Sequence, residues 1–267
     1  MRCRLSAKNS DSSRPSRLSR HVGHNTGRVA VITGGGTGIG AAVANELANS
    51  GAHVIVVSRG QDRLQSVVSD LRDQGHLADA LVGDVTSEQL LTDLDALVPA
   101  VDILVNNAAV FAPYGSLEEI SMAAIDEVLE VDLRAVLRLT RHFLPGMKAR
   151  RFGRVINIGS IAASLGAANQ AAYSTAKSAL QGLTRSVALS CINSGVTCNL
   201  IEPGLVATER ASTKIDSETR ASLVRATPAG RPGTPEEVAH CVAYLASSGA
   251  APVTGAILPV DGGIGIR

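Results

Sequence analysis

The chain has no tryptophan, three tyrosines and three phenylalanines in 267 residues. Nucleic-acid surfaces commonly rely on aromatic stacking platforms, so this scarcity argues against that class. A formal net charge of +1 leaves no broad field to steer a polyanion. Long apolar runs are also lacking. The stretch 52-AHVIVV-57 is far short of the roughly 20 residues that a membrane-spanning helix needs. The four cysteines, Cys3, Cys191, Cys198 and Cys241, form no Cys-x-x-Cys pair and no Cys/His cluster with zinc spacing. That usage predicts reduced, mostly buried thiols in a cytoplasmic protein, and no metal site. Lysine is scarce too, with four in the chain.

What is present divides into two parts. Residues 1–27 are rich in Ser and Arg, hold Asp11 as their one acidic residue, and show no apolar period. They contain no apolar stretch of the roughly 7–15 residues a secretory signal requires. An Arg-rich, Ser-rich composition is shared with transit peptides, but Pro15 and the missing amphipathic stripe favour a disordered extension. From Arg28 onward, short β-branched runs (29-VAVIT-33, 54-VIVV-57, 103-ILV-105, 155-VINI-158, 196-VTCNLI-201, 256-AILPV-260) alternate with longer helical patterns. The runs lack strict polar–apolar alternation, as strands buried on both faces do. Residues 28–267 are therefore expected to form one α/β domain, a doubly wound parallel sheet of about seven strands with helices on both faces. Ligands of such sheets bind at the C-terminal ends of the strands.

The first strand runs into 33-TGGGTGIG-40 and then a helical pattern. Glycines there permit a tight turn and close backbone approach to a pyrophosphate, and the following helix offers unpaired N–H groups and a positive dipole end. Between a first strand and a first helix, this turn points to a dinucleotide.

The stretch 171-AAYSTAKSAL-180 places Tyr173 and Lys177 four residues apart among small residues. On a helix the two share a face, with Cβ atoms roughly 5–6 Å apart. An ammonium at that spacing stabilises a phenolate, which makes a phenol usable as an acid or base near neutrality. The alternative is a packed tyrosine beside a solvated lysine.

The spacing TGxxxGxG, with Gly34, Gly38 and Gly40, resembles the fingerprint of the short-chain dehydrogenase/reductase family. The resemblance continues through Asp84-Val85, 106-NNAA-109, Ser160 thirteen residues before Tyr173, and 203-PG-204 followed by Thr208. It ends with 230-GRPGTPEEVA-239, 245-LASS-248 and 261-DGG-263. It implies a Rossmann-type fold, a homotetramer built on the helices carrying Asp132 and Tyr173, and interconversion of a ketone and a secondary alcohol by hydride transfer. By the same resemblance Tyr173 is the general acid/base, Lys177 its electrostatic partner and a holder of the nicotinamide ribose, and Ser160 a hydrogen-bond donor to the substrate oxygen. The cofactor would lie along Thr33, Gly34, Thr37, Gly38, Ile39, Gly40, Ser58, Arg59, Asp84, Val85, Asn106, Ala108, Tyr173, Lys177, Pro203, Gly204, Val206 and Thr208. The second strand ends in Ser58-Arg59 with no carboxylate, which favours the 2′-phosphate of NADP(H) over NAD(H). NAD(H) stays the alternative, because position 37 is Thr where many NADP-using relatives carry a basic residue.

The family's catalytic Asn is replaced by Asp132 in 131-VDL-133, which retains a backbone carbonyl and adds a carboxylate near Lys177. Within the family the chain looks most like the β-ketoacyl-carrier-protein reductases. Arg151 stands where an acyl-carrier-protein dock would be, but the second expected basic position is Ser194. A broad-specificity alcohol, sugar or steroid dehydrogenase fits equally well, and a nucleotide-binding protein with little turnover is the non-catalytic reading. Residues 205–228 read as a lid that selects the substrate.

Overall fold

The structure, a computed structural model, describes residues 23–110 and 114–266. Seven strands, β1 Val29–Thr33, β2 His53–Ser58, β3 Ala78–Val82, β4 Ile103–Asn106, β5 Gly153–Ile158, β6 Val196–Pro203 and β7 Ile257–Val260, form one parallel sheet in the order 3-2-1-4-5-6-7. The chain leaves β3 at one edge and re-enters beside β1 as β4. The order reverses there, beyond Thr33 and Asn106, the place where sheets of this kind form a ligand crevice.

Alternate side chains of the strands feed two cores. Ile32, Val54, Val56, Ile103, Val105 and Ile156 pack under helices α1 (Gly38–Asn49), α2 (Gln61–Asp73) and a later helix, Pro235–Ala246. Val31, Ile55, Val57, Leu104 and Val155 pack on the other face, against α3 (Gln89–Leu97) and residues of a long helical stretch centred on Leu139, Phe143 and Met147. Both faces of each central strand are covered, so the strands read as continuous apolar runs.

β3 was not among the runs recognised in the sequence. It is an edge strand, paired only to β2, and its sequence Ala-Asp-Ala-Leu-Val is half-buried. Asp79 faces outward to His53 and Arg72, at 2.7 and 2.6 Å.

The remaining helices are α4 (Met122–Leu129), α5 (Ala135–Ala149), α6 (Ala162–Leu165), α7 (Ala171–Ser190), α8 (Glu209–Lys214), α9 (Ser217–Ala226) and α10 (Pro235–Ala246). Between α4 and α5 the chain does not break. It widens into a π-helical turn, Glu130–Arg134. Residues 205–228, the segment expected to act as a lid, hold the two short helices α8 and α9.

The expected extension 1–27 falls mostly outside the described residues. Residues 23–27, however, form a turn docked on the end of α1, where Asn25 is buried and its Nδ2 donates to Ser50 Oγ at 2.8 Å. The ordered unit therefore starts before Arg28. Among the described residues no helix is long and apolar enough to cross a membrane.

Candidate active site

The crevice is stitched together by Thr33 and Asn107. Thr33 Oγ1 donates to the Val105 carbonyl at 3.3 Å and accepts from the backbone N–H groups of Asn107 and Ala108, both at 3.0 Å. Asn107 Nδ2 returns hydrogen bonds to the carbonyls of Thr33 and Gly34 at 2.9 and 3.2 Å. The end of β1 is thereby fixed to the end of β4.

Gly34 adopts φ 66°, which any side chain would strain. A Cβ on Gly40 would stand 2.2 Å from the Gly34 carbonyl, so α1 can start this close to the turn only with glycine there. Thr37 is the N-cap of α1 but makes no side-chain capping bond, and no acidic residue occupies the first turn. The N–H groups of Gly38, Ile39 and Gly40 are left for an anion. These features fit the pyrophosphate of a dinucleotide.

At the adenosine end Ser58 closes β2 and Arg59 is largely exposed, 3.8 Å from Asp84. Asp84 accepts from the backbone and hydroxyl of Thr86, at 2.9 and 2.8 Å. The Thr86 backbone bond is the main cause holding its carboxyl below the usual range. The loop is anchored from behind. Arg138 of α5 donates to the carbonyls of Val85 and Thr86 at 3.1 and 2.8 Å, and to Glu130 at 2.6 Å. On the far side, Pro203 and Gly204 end β6, Val206 is buried, and Thr208 caps α8 by accepting from Ala211 N–H. The Thr208 methyl lies 3.1 Å from where a Gly38 Cβ would stand, so the lid begins against the glycine turn.

Asn106 and Asn107 point their side chains in different directions. The Asn106 side chain is buried and donates to Thr140 Oγ1 and Asn157 Oδ1, at 3.3 and 2.8 Å, away from the turn. The side chain of its neighbour Asn107 is the one that bonds to the glycine turn. The sequence offers two adjacent asparagines and no signal for which one faces outward.

At the chemical end, Ser160 follows β5 and its Oγ accepts from Ala162 N–H at 3.2 Å. Tyr173 and Lys177 lie one turn apart on α7, as the spacing predicts. Tyr173 is half-buried against Val128, Ala172 and Ala176. Lys177 is buried, and its Nζ donates to the Ile158 carbonyl at 3.2 Å, two residues before Ser160. The same Nζ stands 5.6 Å from the centroid of the Tyr173 ring.

Asp132 sits in the π-helical turn, fully buried. Its Oδ2 is 3.2 Å from Lys177 Nζ, an ion pair whose angle falls outside hydrogen-bond geometry, and its Oδ1 accepts from Val110 N–H at 2.9 Å. A π turn adds a residue to the helical circuit and rotates the next turn of helix, and such turns are frequent at functional sites. No local pattern in 130-EVDLR-134 announced it.

Tyr114 was also missed. It follows β4 on the rim, and its phenol is pushed up chiefly by burial, then by the charges of Asp216 and Tyr173. Arg210 of α8 donates to the Ala109 carbonyl at 2.8 Å, tying the lid to the segment after β4.

A family model described as "Enoyl-(Acyl carrier protein) reductase" matches residues 34–265. Among curated proteins the chain is 40% identical to cis-4-hydroxycyclohexanecarboxylate dehydrogenase of Sinomonas cyclohexanicum, covering 88% of this chain and 96% of that one. It is 36% identical to the 3-oxoacyl-(acyl-carrier-protein) reductase of Escherichia coli, covering 89% and 97%. Among solved structures, a putative NAD(P)-dependent gluconate 5-dehydrogenase from Beutenbergia cavernae, with bound NADP, superimposes with a TM-score of 0.85 at 38% identity, covering 91% and 98%. Matches of this extent and identity settle the family: the chain belongs to the short-chain dehydrogenase/reductases, a family of oxidoreductases.

Proposed function

We propose that this oxidoreductase uses NADP(H) to interconvert a small ketone and the corresponding secondary alcohol, with Tyr173 as general acid/base, Ser160 as hydrogen-bond donor to the substrate oxygen and Lys177 as electrostatic partner. The observation that carries this reading is the bond from Lys177 Nζ to the Ile158 carbonyl. It ties the helix bearing Tyr173 to the strand end bearing Ser160, on the sheet edge where the glycine cradle opens.

A nicotinamide cofactor, when bound, supplies or accepts the hydride. The chain's own residues deal with the charge on oxygen. Ser160 Oγ and the Tyr173 hydroxyl supply hydrogen bonds to an oxygen gaining negative charge, and the phenol then supplies the proton. The Lys177 ammonium favours the phenolate left behind. Thr33, Gly34, Thr37, Gly38, Ile39 and Gly40 would hold the pyrophosphate, and Ser58 and Arg59 the 2′-phosphate. NADP in the Beutenbergia cavernae structure supports that choice.

The Sinomonas cyclohexanicum relative acts on a small cyclic hydroxy acid, as its name states, which supports a small alcohol or ketone here. Arg151 favours a second reading, a carrier-bound 3-oxoacyl substrate. It is exposed, and its backbone takes the left-handed φ of 54°. Arg150 does not help, because its guanidinium is engaged with the Val101 carbonyl and Asp102. A homotetramer is part of this reading, with exposed Leu137 on α5 and Leu189 on α7 as apolar contacts between copies. A cytoplasmic setting accords with unpaired Cys191, Cys198 and Cys241.

The test is NADPH oxidation by the purified chain against small ketones, gluconate-type sugars and a carrier-bound 3-oxoacyl thioester. Turnover of small ketones abolished in Tyr173→Phe supports the reading. Cofactor binding with no turnover on any substrate would leave the non-catalytic alternative.

A further inference from the structure

We infer that Arg63 serves two anions in turn, the Glu209 carboxylate on the lid and the 2′-phosphate of NADP(H), so that binding the phosphorylated cofactor releases the lid's first turn. This rests on the NADP(H) reading above.

Arg63 lies in the first turn of α2, the helix that follows Ser58 and Arg59. A Cβ built on Gly36, in the glycine turn, would stand 3.2 Å from Ser58 Oγ and 3.6 Å from Arg63 Cβ. The serine hydroxyl, the arginine stem and the backbone of the turn thus converge on one spot at the end of β2. That is the side on which a 2′-phosphate must lie if Ser58 and Arg59 are to meet it. The turn itself offers no cation, since position 37 is Thr. Arg59 shares its charge with Asp84.

The guanidinium of Arg63 reaches the other way, and its Nη2 is 3.3 Å from Glu209 Oε1, with both side chains mostly in solvent. Glu209 is the first residue of α8 and directly follows Thr208, which abuts Gly38. The Arg63 side chain therefore runs along the outer edge of the glycine turn, from the Ser58 corner to the lid. An exposed guanidinium–carboxylate pair of this kind is weak and screened by salt. A phosphate carries more charge and more acceptor oxygens, and it matches the guanidinium fork. The phosphate wins the exchange. α8 then keeps its bond from Arg210 to Ala109 but loses its tie to α2. NAD(H), with no 2′-phosphate, leaves the tie in place.

Calorimetric titration with adenosine 2′,5′-bisphosphate and with AMP, on the wild-type chain, Arg63→Ala, Arg63→Gln and Glu209→Gln, tests the exchange. Both arginine variants should bind the bisphosphate roughly tenfold more weakly, the loss of one charge-assisted contact, with AMP unchanged. Glu209→Gln removes the competitor and should tighten the bisphosphate by about two- to fivefold at low salt, again sparing AMP. In Arg63→Ala/Glu209→Gln that gain should vanish. Equal losses for both ligands in the arginine variants, or no tightening in Glu209→Gln, overturn the inference. A wild-type chain that does not distinguish the two ligands defeats the NADP(H) reading itself. A wild-type preference that survives intact in Arg63→Ala defeats only the role of Arg63.

Discussion

The Asp132 carboxylate and the Lys177 ammonium form an ion pair 3.2 Å apart, with 0% and 3% of their side chains exposed. Screening by solvent is therefore minor, and the carboxylate offsets part of the field that Lys177 exerts on Tyr173, whose ring centroid is 5.6 Å from Nζ. Asp132→Asn keeps the shape and the acceptor for Val110 N–H but removes the charge. At an effective dielectric of about 20, one unit charge at roughly 6–8 Å contributes about 2–3 kcal/mol. Alcohol oxidation needs phenolate, which the full field of Lys177 favours, so oxidation at a fixed neutral pH should be faster in the variant. Steady-state rates of both proteins in the oxidative direction decide this, and an unchanged rate would mean that the carboxylate does not act on Tyr173. Stability should fall in the same variant, toward the roughly 3–5 kcal/mol lost when one partner of a buried pair is removed.

Tyr173→Phe removes one hydroxyl and leaves the packing of the ring on Val128 and Ala176 intact. The rate should drop by about two to four orders of magnitude, the range of general acid–base catalysis. Cofactor affinity should hold within about twofold, because the glycine cradle is untouched. Stopped-flow rates and cofactor titration on the same preparation separate the two effects. Near-normal ketone reduction would make the Tyr173–Lys177 pair structural.

Arg59→Ala should weaken NADPH by roughly ten- to a hundredfold, the worth of a lost charge-assisted contact, and leave NADH nearly unchanged. Asp84, 3.8 Å from the guanidinium, loses a partner in that variant. Its two bonds from Thr86 remain, so the loop should stay in place. Equal weakening of both cofactors would remove Arg59 from the 2′-phosphate site.

The parts of this arrangement that could be read in the sequence are those where one local constraint dictates residue type. Gly34 and Gly40 had to be glycine for reasons internal to the turn, and Tyr173 and Lys177 share a helix face by periodicity alone. What stayed hidden depends on the rest of the fold. β3 holds its place through pairing with β2 and through Asp79, not through its own β-propensity. Asn106 and Asn107 differ only in which way the strand end turns them. The π turn at Glu130–Arg134 exists where tertiary packing brings Asp132 onto Lys177, and helical periodicity predicts no such turn.

The motif 234-TPEE-237 leads to a prediction about acid stability. Thr234 Oγ1 accepts from Glu237 N–H at 3.3 Å, and Glu237 Oε2 accepts from Thr234 N–H at 2.8 Å, a capping box that starts α10. Arg231 grips the same carboxylate at 2.5 and 3.0 Å. These partners, Arg231 first and then the Thr234 backbone, hold the Glu237 carboxyl down at about 2, against an ordinary value of 4.5. A carboxyl whose folded value is depressed stabilises the fold fully above its unfolded value, and that contribution is lost as pH falls toward the folded one. Glu237 should therefore support α10 at neutral pH and cease to do so as pH drops from about 4.5 to about 2. The helix matters because Val238, Val242 and Leu245 are almost wholly buried under the sheet. Glu237→Gln retains an acceptor for Thr234 N–H but loses the ionic grip of Arg231. The variant should be less stable than the parent at pH 7, and the two denaturation midpoints should converge between about pH 4.5 and pH 2. Midpoints that stay a constant distance apart over that interval would show that the carboxylate charge contributes nothing to the cap.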